Sequence, residues 1–191
     1  MKQISDFIQS KFSVAGTYSN KILLFDVDDT LLHSDIKVYV KKDGKDIKSL
    51  SSAEYNHYRL KPGESFDYRE FCDEEVLNNR FVFLKYWDTL KREYAKGTHI
   101  GILSARKNHD MFHRFFIKHG IDIKNELIFT ISDDSLDIKG DTVEDRKAYV
   151  IGKLSKWGYK TIVFFDDNEV NLKTAKKLEN KFDIKVITVK A

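Results

Sequence analysis

Five short runs of continuously apolar, β-prone residues recur along this chain, and helical patterning fills most of the spaces between them. The runs are ILLF (22–25), HIGIL (99–103), ELIFTI (126–131), TIVFF (161–165) and IKVITV (184–189). Apolarity at every position, rather than every second one, suits strands covered on both faces, as in parallel sheets. Between the runs, Phe83, Tyr86, Trp87, Leu90 and Tyr94 fall at helical spacing, as do Phe112, Phe115 and Phe116. Val143, Ile151 and Leu154 mark a third helix ended by Gly158, and Ala175, Leu178 and Phe182 a fourth. Strand and helix alternating in this way predict an α/β fold, a doubly wound parallel five-stranded sheet. A further amphipathic helix is expected over 4–12. At 191 residues the chain is expected to form one domain.

The alternation breaks between residues 33 and 79. There IKVYVKKDGKDIKSL places Asp43-Gly44 between β-prone arms, the strongest short-range signal for a hairpin. Two short helical candidates follow, near Ser51 to Tyr58 and Tyr68 to Leu77. The segment reads as a small, hairpin-led insertion projecting from the carboxyl edge of the sheet.

The chain is 41% hydrophobic and 33% charged, a composition of globular rather than disordered proteins. Its net charge of +3 is too mild to argue nucleic-acid binding by itself. The single cysteine, Cys72, excludes an internal disulfide and reads as a small apolar filler in a reducing compartment. No run approaches the length of a membrane span, and the opening MKQISDFIQSKFS lacks the apolar stretch of a signal peptide, so a cytoplasmic location is expected.

In open α/β sheets ligands bind outside the carboxyl ends of the strands. Three apolar runs end there in polar residues: ILLF in DVDDT, HIGIL in SAR, TIVFF in DDNEVN. Asp26, Asp28 and Asp29 crowd one strand end, and unpaired buried carboxylates cost several kcal/mol or take up protons. A cation is therefore required. Mg²⁺ accepts one or two carboxylates plus phosphate and water, which Asp26 with Asp166 or Asp167 would supply. Ser104 and the backbone amides beside it, at Ala105, could hold phosphate oxygens.

A lysine to balance the charge can be chosen by helical phase. Lys147 falls four residues after Val143 and four before Ile151, on the apolar stripe, whereas Lys139 and Arg146 do not. Asp141 as N-cap, with Glu144 three residues on, would put Lys147 near the site. Asn171 aligns with Ala175, Leu178 and Phe182 and is expected to face inward. Arg106 reads equally as a substrate contact or a surface ion pair. His109 and His113 have metal-like spacing but no acidic third ligand, so a half-exposed helix face is expected. Tyr55, Tyr58, Phe66 and Tyr68 read as packing residues.

DVDDT resembles the first motif of the haloacid dehalogenase superfamily, ILSAR its second, Lys147 the basic residue of its third and FFDDNEVN its acidic fourth. The four stand in order over roughly residues 20–190 apart from the insertion. The resemblance implies a Mg²⁺-dependent phosphatase in which Asp26 attacks phosphorus and forms an aspartyl-phosphate. Asp28 would serve as general acid and base, its carbonyl joining Asp26 and the fourth-motif acids at the metal. Crowding by other carboxylates would push its pKa upward. Thr30 would shape the loop and assist the acid. Asp29 departs from the glycine more frequent at its position and is expected to be a solvated turn residue. The insertion takes the place of a thin cap. The expected partners are a phosphorylated small molecule or, from the likeness to polynucleotide 3′-phosphatases and nucleotidases, a nucleotide or nucleic-acid end. Lys37, Lys41, Lys42, Lys45 and Lys48 on the hairpin read first as a solvated edge guarded against aggregation, or else as a strip that could hold a polyanion. No obligate protein partner is evident. A non-catalytic phosphate- or metal-binding module is the reading from another class.

Overall fold

Ile22, Leu24 and Phe25 are wholly buried, and each such side chain contributes about 1.5–3 kcal/mol relative to exposure. They belong to the central strand of the protein, whose computed structural model describes residues 20–191. The helix expected over 4–12 lies outside that range. The chain runs through β1 (Lys21–Phe25), β2 (Leu32–Ser34), β3 (Val38–Lys42), β4 (Lys45–Leu50), α1 (Ser52–His57), β5 (Glu64–Asp67), α2 (Glu74–Asn79) and β6 (Phe81–Phe83). It continues as α3 (Lys85–Ala95), β7 (His99–Ser104), α4 (His109–Lys118), β8 (Ile128–Thr130), α5 (Val143–Lys156), β9 (Thr161–Asp166), α6 (Glu169–Lys176) and β10 (Lys185–Lys190).

Five strands form one parallel sheet in the order β10-β9-β1-β7-β8, flanked by helices. The architecture is α/β and Rossmann-like. The chain first builds outward from β1 through β7 to β8, then crosses over to β9 on the other side of β1. The reversal of strand order therefore lies between β1 and β9, where such sheets open a crevice. Phe25 pairs with Phe165 in register there, and the two rings stack at 4.3 Å. Asp26 and Asp166 each follow directly.

Several local expectations shift. ELIFTI supplies only three strand residues, because Asn125–Leu127 form a 3-10 turn leading into the edge strand β8. Phe83 lies in β6 rather than α3; it pairs with Leu32 and stacks on Trp87 at 4.1 Å. The helical candidate over 68–77 divides at Asp73, whose side chain caps α2 after a 3-10 turn over Arg69–Cys72. The fourth helix ends as a 3-10 turn at Lys177–Asn180, short of Phe182. Cys72 is exposed and fills no core.

Within the insertion, Asp43 and Gly44 adopt φ of 51° and 75°, the paired left-handed conformation of a tight hairpin turn. β4, β3 and β5 make a three-stranded antiparallel sheet. It has a small core of its own, Val38, Val40 and Leu50 against Tyr55, Tyr58, Phe66 and Phe71, so those tyrosines do pack. β2 and β6 pair as a stem, and Leu84 N–H donates to Leu31 C=O.

The loop before α5 is pinned from both ends. Arg146 donates to the Gly140 and Ile131 carbonyls, and Gly140 has φ 141°. A Cβ there would meet Arg146 N at 2.7 Å and Asp145 C at 2.9 Å. Both are backbone atoms that cannot swing away. Gly140→Ala should therefore cost about 1–3 kcal/mol, measured by urea unfolding; an unchanged midpoint would show that the loop yields freely.

Candidate functional site

The strand ends bring Asp26, Ser104, Asp166 and, through α5, Lys147 into the protein with almost no exposure. Lys147 bridges Asp26 and Asp166. Its Nζ stands 2.9 Å from Asp26 Oδ1 and 2.7 Å from Asp166 Oδ2. The helical-phase argument for Lys147 holds, although its starting point does not, since Val143 is exposed. The cap also moves by one residue. Thr142, not Asp141, accepts from Asp145 N–H, and its hydroxyl donates back to the Asp145 carboxylate. Lys139 pairs with Asp137 at the surface.

Asp166 is completely buried and fully engaged. Its oxygens accept from Lys147, from the Asn171 side-chain amide at 3.0 and 3.1 Å, and from Asn168 N–H at 2.8 Å. Asn171 faces inward as its phase predicts, and its role here is to hold Asp166. Asp167, half-buried, completes a trio with Asp26 and Asp166 whose ligand atoms lie within 4.8 Å of one another.

With all three carboxylates ionised, one ammonium would leave this cluster two charges negative. Burial, opposed by Lys147, pushes Asp26 well above the ordinary carboxylate range, and the neighbouring Asp166 and Asp28 add to it. Burial and then Asp166 also push Asp167 up. Burial would lower Lys147, but its two carboxylates outweigh that and carry it up to about 12. A hard divalent cation fits such a set of oxygens. The turn hydrogen bonds of the 28–32 loop run to the Val27 and Leu32 carbonyls.

A pH dependence follows. Carboxyls raised by folding hold protons that the unfolded chain has lost, so without a cation stability falls as pH rises above the ordinary carboxylate range. A divalent cation held by these oxygens would compete with those protons, so stabilisation by added Mg²⁺ should grow from pH 5 to pH 8 in thermal melts; a Mg²⁺ shift that shrinks as pH rises would rule out cation binding at this cluster.

Asp28 differs most from expectation. Its carboxylate is not surrounded by other acids alone but sits in a two-pronged ion pair with Arg106, Nη2 to Oδ1 at 2.6 Å and Nε to Oδ2 at 3.0 Å. Nor is Arg106 a surface residue, since its side chain is 1% exposed. Asp29 has φ 57°, which explains why a glycine would suit this position and why a short polar residue is tolerated. It pairs with His33 at 2.5 Å in the half-exposed turn.

Thr30 is fully buried and its hydroxyl has no hydrogen-bond partner. Ser104 Oγ accepts from Arg106 N–H at 3.2 Å and keeps its own proton to donate. Ala105 is exposed between these two buried neighbours. His109 and His113 lie partly exposed on α4, His109 bonded to the Asn125 carbonyl. Phe71 is the site neighbour that sequence reasoning misses. It reaches Arg106 from the insertion across 35 positions, and no local pattern marks such a contact.

Among the described residues no helix is long and apolar enough to cross a membrane. No protein-family model matches the sequence, and no curated protein matches it.

Proposed function

We propose that this chain is a Mg²⁺-dependent phosphomonoester hydrolase of the haloacid dehalogenase type, working through an aspartyl-phosphate on Asp26. The observation that carries the reading is the cluster at the carboxyl ends of β1 and β9, where Asp26, Asp166 and Asp167 come together and buried Lys147 pairs with the first two. A cation held by Asp26, Asp167, Asp166 and the Asp28 carbonyl would neutralise the cluster and polarise a phosphoryl oxygen.

The residues then divide the work. An Asp26 carboxylate oxygen attacks phosphorus, and the bond from phosphorus to the leaving oxygen breaks. Asp28 gives that oxygen a proton and then takes one from the water that attacks the same phosphorus, releasing inorganic phosphate and restoring Asp26. Ser104, the Ala105 amide and the unpartnered Thr30 hydroxyl are the donors available to the phosphoryl oxygens. Lys147 holds Asp26 in place and offsets charge. The insertion serves as a thin cap that leaves room for a bulky leaving group.

A nucleotide or nucleic-acid end is the narrower substrate reading. It draws on Lys42, Lys45 and Lys48, which are exposed on the hairpin. The strip is less basic than its sequence suggests, because Lys41 pairs with Asp67. Changing Lys42 and Lys45 to Gln should then weaken action on a phosphorylated oligonucleotide only. The general reading is tested by turnover of p-nitrophenyl phosphate with Mg²⁺ and its loss with EDTA. A protein inert under both conditions would instead be a binding module.

A further inference from the structure

The Asp28–Arg106 pair has a third member. Arg106 Nη1 approaches the Phe71 carbonyl at 3.4 Å, and the guanidinium lies 5.1 Å from the Phe71 ring centroid and 5.8 Å from that of Phe112. Phe71 belongs to the 3-10 turn over Arg69–Cys72, while Phe112 is a buried residue of α4. The guanidinium is thus held between the insertion and the main domain. Its planar fork matches both oxygens of one carboxylate, a fit that a lysine cannot reproduce. Asp28 keeps 28% of its side chain exposed against 1% for Arg106. The fork therefore grips Asp28 from the buried side and leaves its outer side open.

We infer that Arg106 is a positioning residue rather than a phosphate ligand: it sets the orientation of the Asp28 carboxylate and couples that orientation to the seating of the insertion through Phe71. The inference about catalysis rests on the proposed phosphohydrolase reading; the coupling itself does not. A buried guanidinium needs its partners, so the insertion turn, Arg106 and the 28–32 loop should loosen together. Where Asp28 protonates the leaving oxygen, its misplacement matters for an alkyl ester and much less for an aryl ester, whose phenolate departs unaided.

The test uses the full chain and the variants Arg106→Gln, Arg106→Lys and Phe71→Ala. In hydrogen exchange read by mass spectrometry, Arg106→Gln should speed exchange in segments 28–32 and 69–72 by about tenfold, with β1 and β9 unchanged. Phe71→Ala should speed exchange at 28–32, across the contact. Unchanged exchange in those segments, or a uniform rise through β1 and β9, would overturn the coupling.

In kinetics, Arg106→Gln should lower the ratio of glycerol phosphate to p-nitrophenyl phosphate turnover by about tenfold or more at unchanged KM. Arg106→Lys and Phe71→Ala should move it the same way by less. A rise in KM shared by both esters with the kcat ratio unmoved would make Arg106 a phosphate contact and overturn the positioning role. If the unaltered protein turns over neither ester, the phosphohydrolase reading fails and the positioning role with it. The exchange results still decide whether the clasp exists. Phe71→Ala keeps both arms decisive should Arg106→Gln fail to fold.

Discussion

Asp26→Asn should lose at least about a thousandfold in turnover of p-nitrophenyl phosphate, because the proposed nucleophile and metal ligand disappear together. The fold should survive. Asp26 shares the Lys147 ammonium with Asp166, with Asp167 close by, and burial already disfavours its charged form. Asparagine keeps the shape and removes a charge, while Lys147 retains Asp166 at 2.7 Å. Without divalent cation the variant should match the unaltered protein in stability within about 1 kcal/mol, or exceed it. Its stabilisation by Mg²⁺ should shrink. Substantial turnover in a correctly folded Asp26→Asn protein would exclude Asp26 as nucleophile.

Lys147→Met should act in the opposite sense on stability. The side chain is 3% exposed, and its loss leaves Asp26 and Asp166 buried without their cation. Removing one partner of a buried charge cluster costs about 3–5 kcal/mol, because the charge left behind keeps its desolvation penalty. Mg²⁺ should restore part of the loss by taking over the neutralising role. The two variants form a discriminating pair: one loses chemistry and keeps its fold, the other loses stability first. Urea unfolding with and without Mg²⁺ reads both. A Lys147→Met protein as stable as its parent would mean that the aspartates hold protons instead of relying on the lysine.

The parallel sheet could be read from the chain because its signal is local. Buried strands need apolar residues at each position, and helices between them need a 3.6-residue stripe. Lys147 and Asn171 were legible for the same reason, as polar residues in phase with apolar ones on their own helices. Three features were not. The ends of elements depend on which side chain caps first, and Thr142 displaces Asp141 although both are good caps. Phe83 stacks on Trp87 whether it starts a helix or ends a short strand, so periodicity alone cannot separate the two. The pairing of Asp28 with Arg106 joins residues 78 positions apart, and neither the burial of the arginine nor the approach of Phe71 has a local signature. Arg106 in sequence is simply a charged residue after a strand. Only the fold turns it into a buried one that needs a carboxylate.

If the phosphoryl group passes through Asp26, the mass of the protein caught during turnover records it. If Asp28 is the base for the attacking water, Asp28→Asn should slow release of the phosphoryl group while transfer from p-nitrophenyl phosphate persists. That variant, mixed with the ester and Mg²⁺, quenched in acid and digested, should carry one added phosphoryl group on the peptide spanning Lys21 to Asp35, localised to Asp26. Release of p-nitrophenol with no phosphoryl group on that peptide, or with the group on another residue, would contradict passage through Asp26.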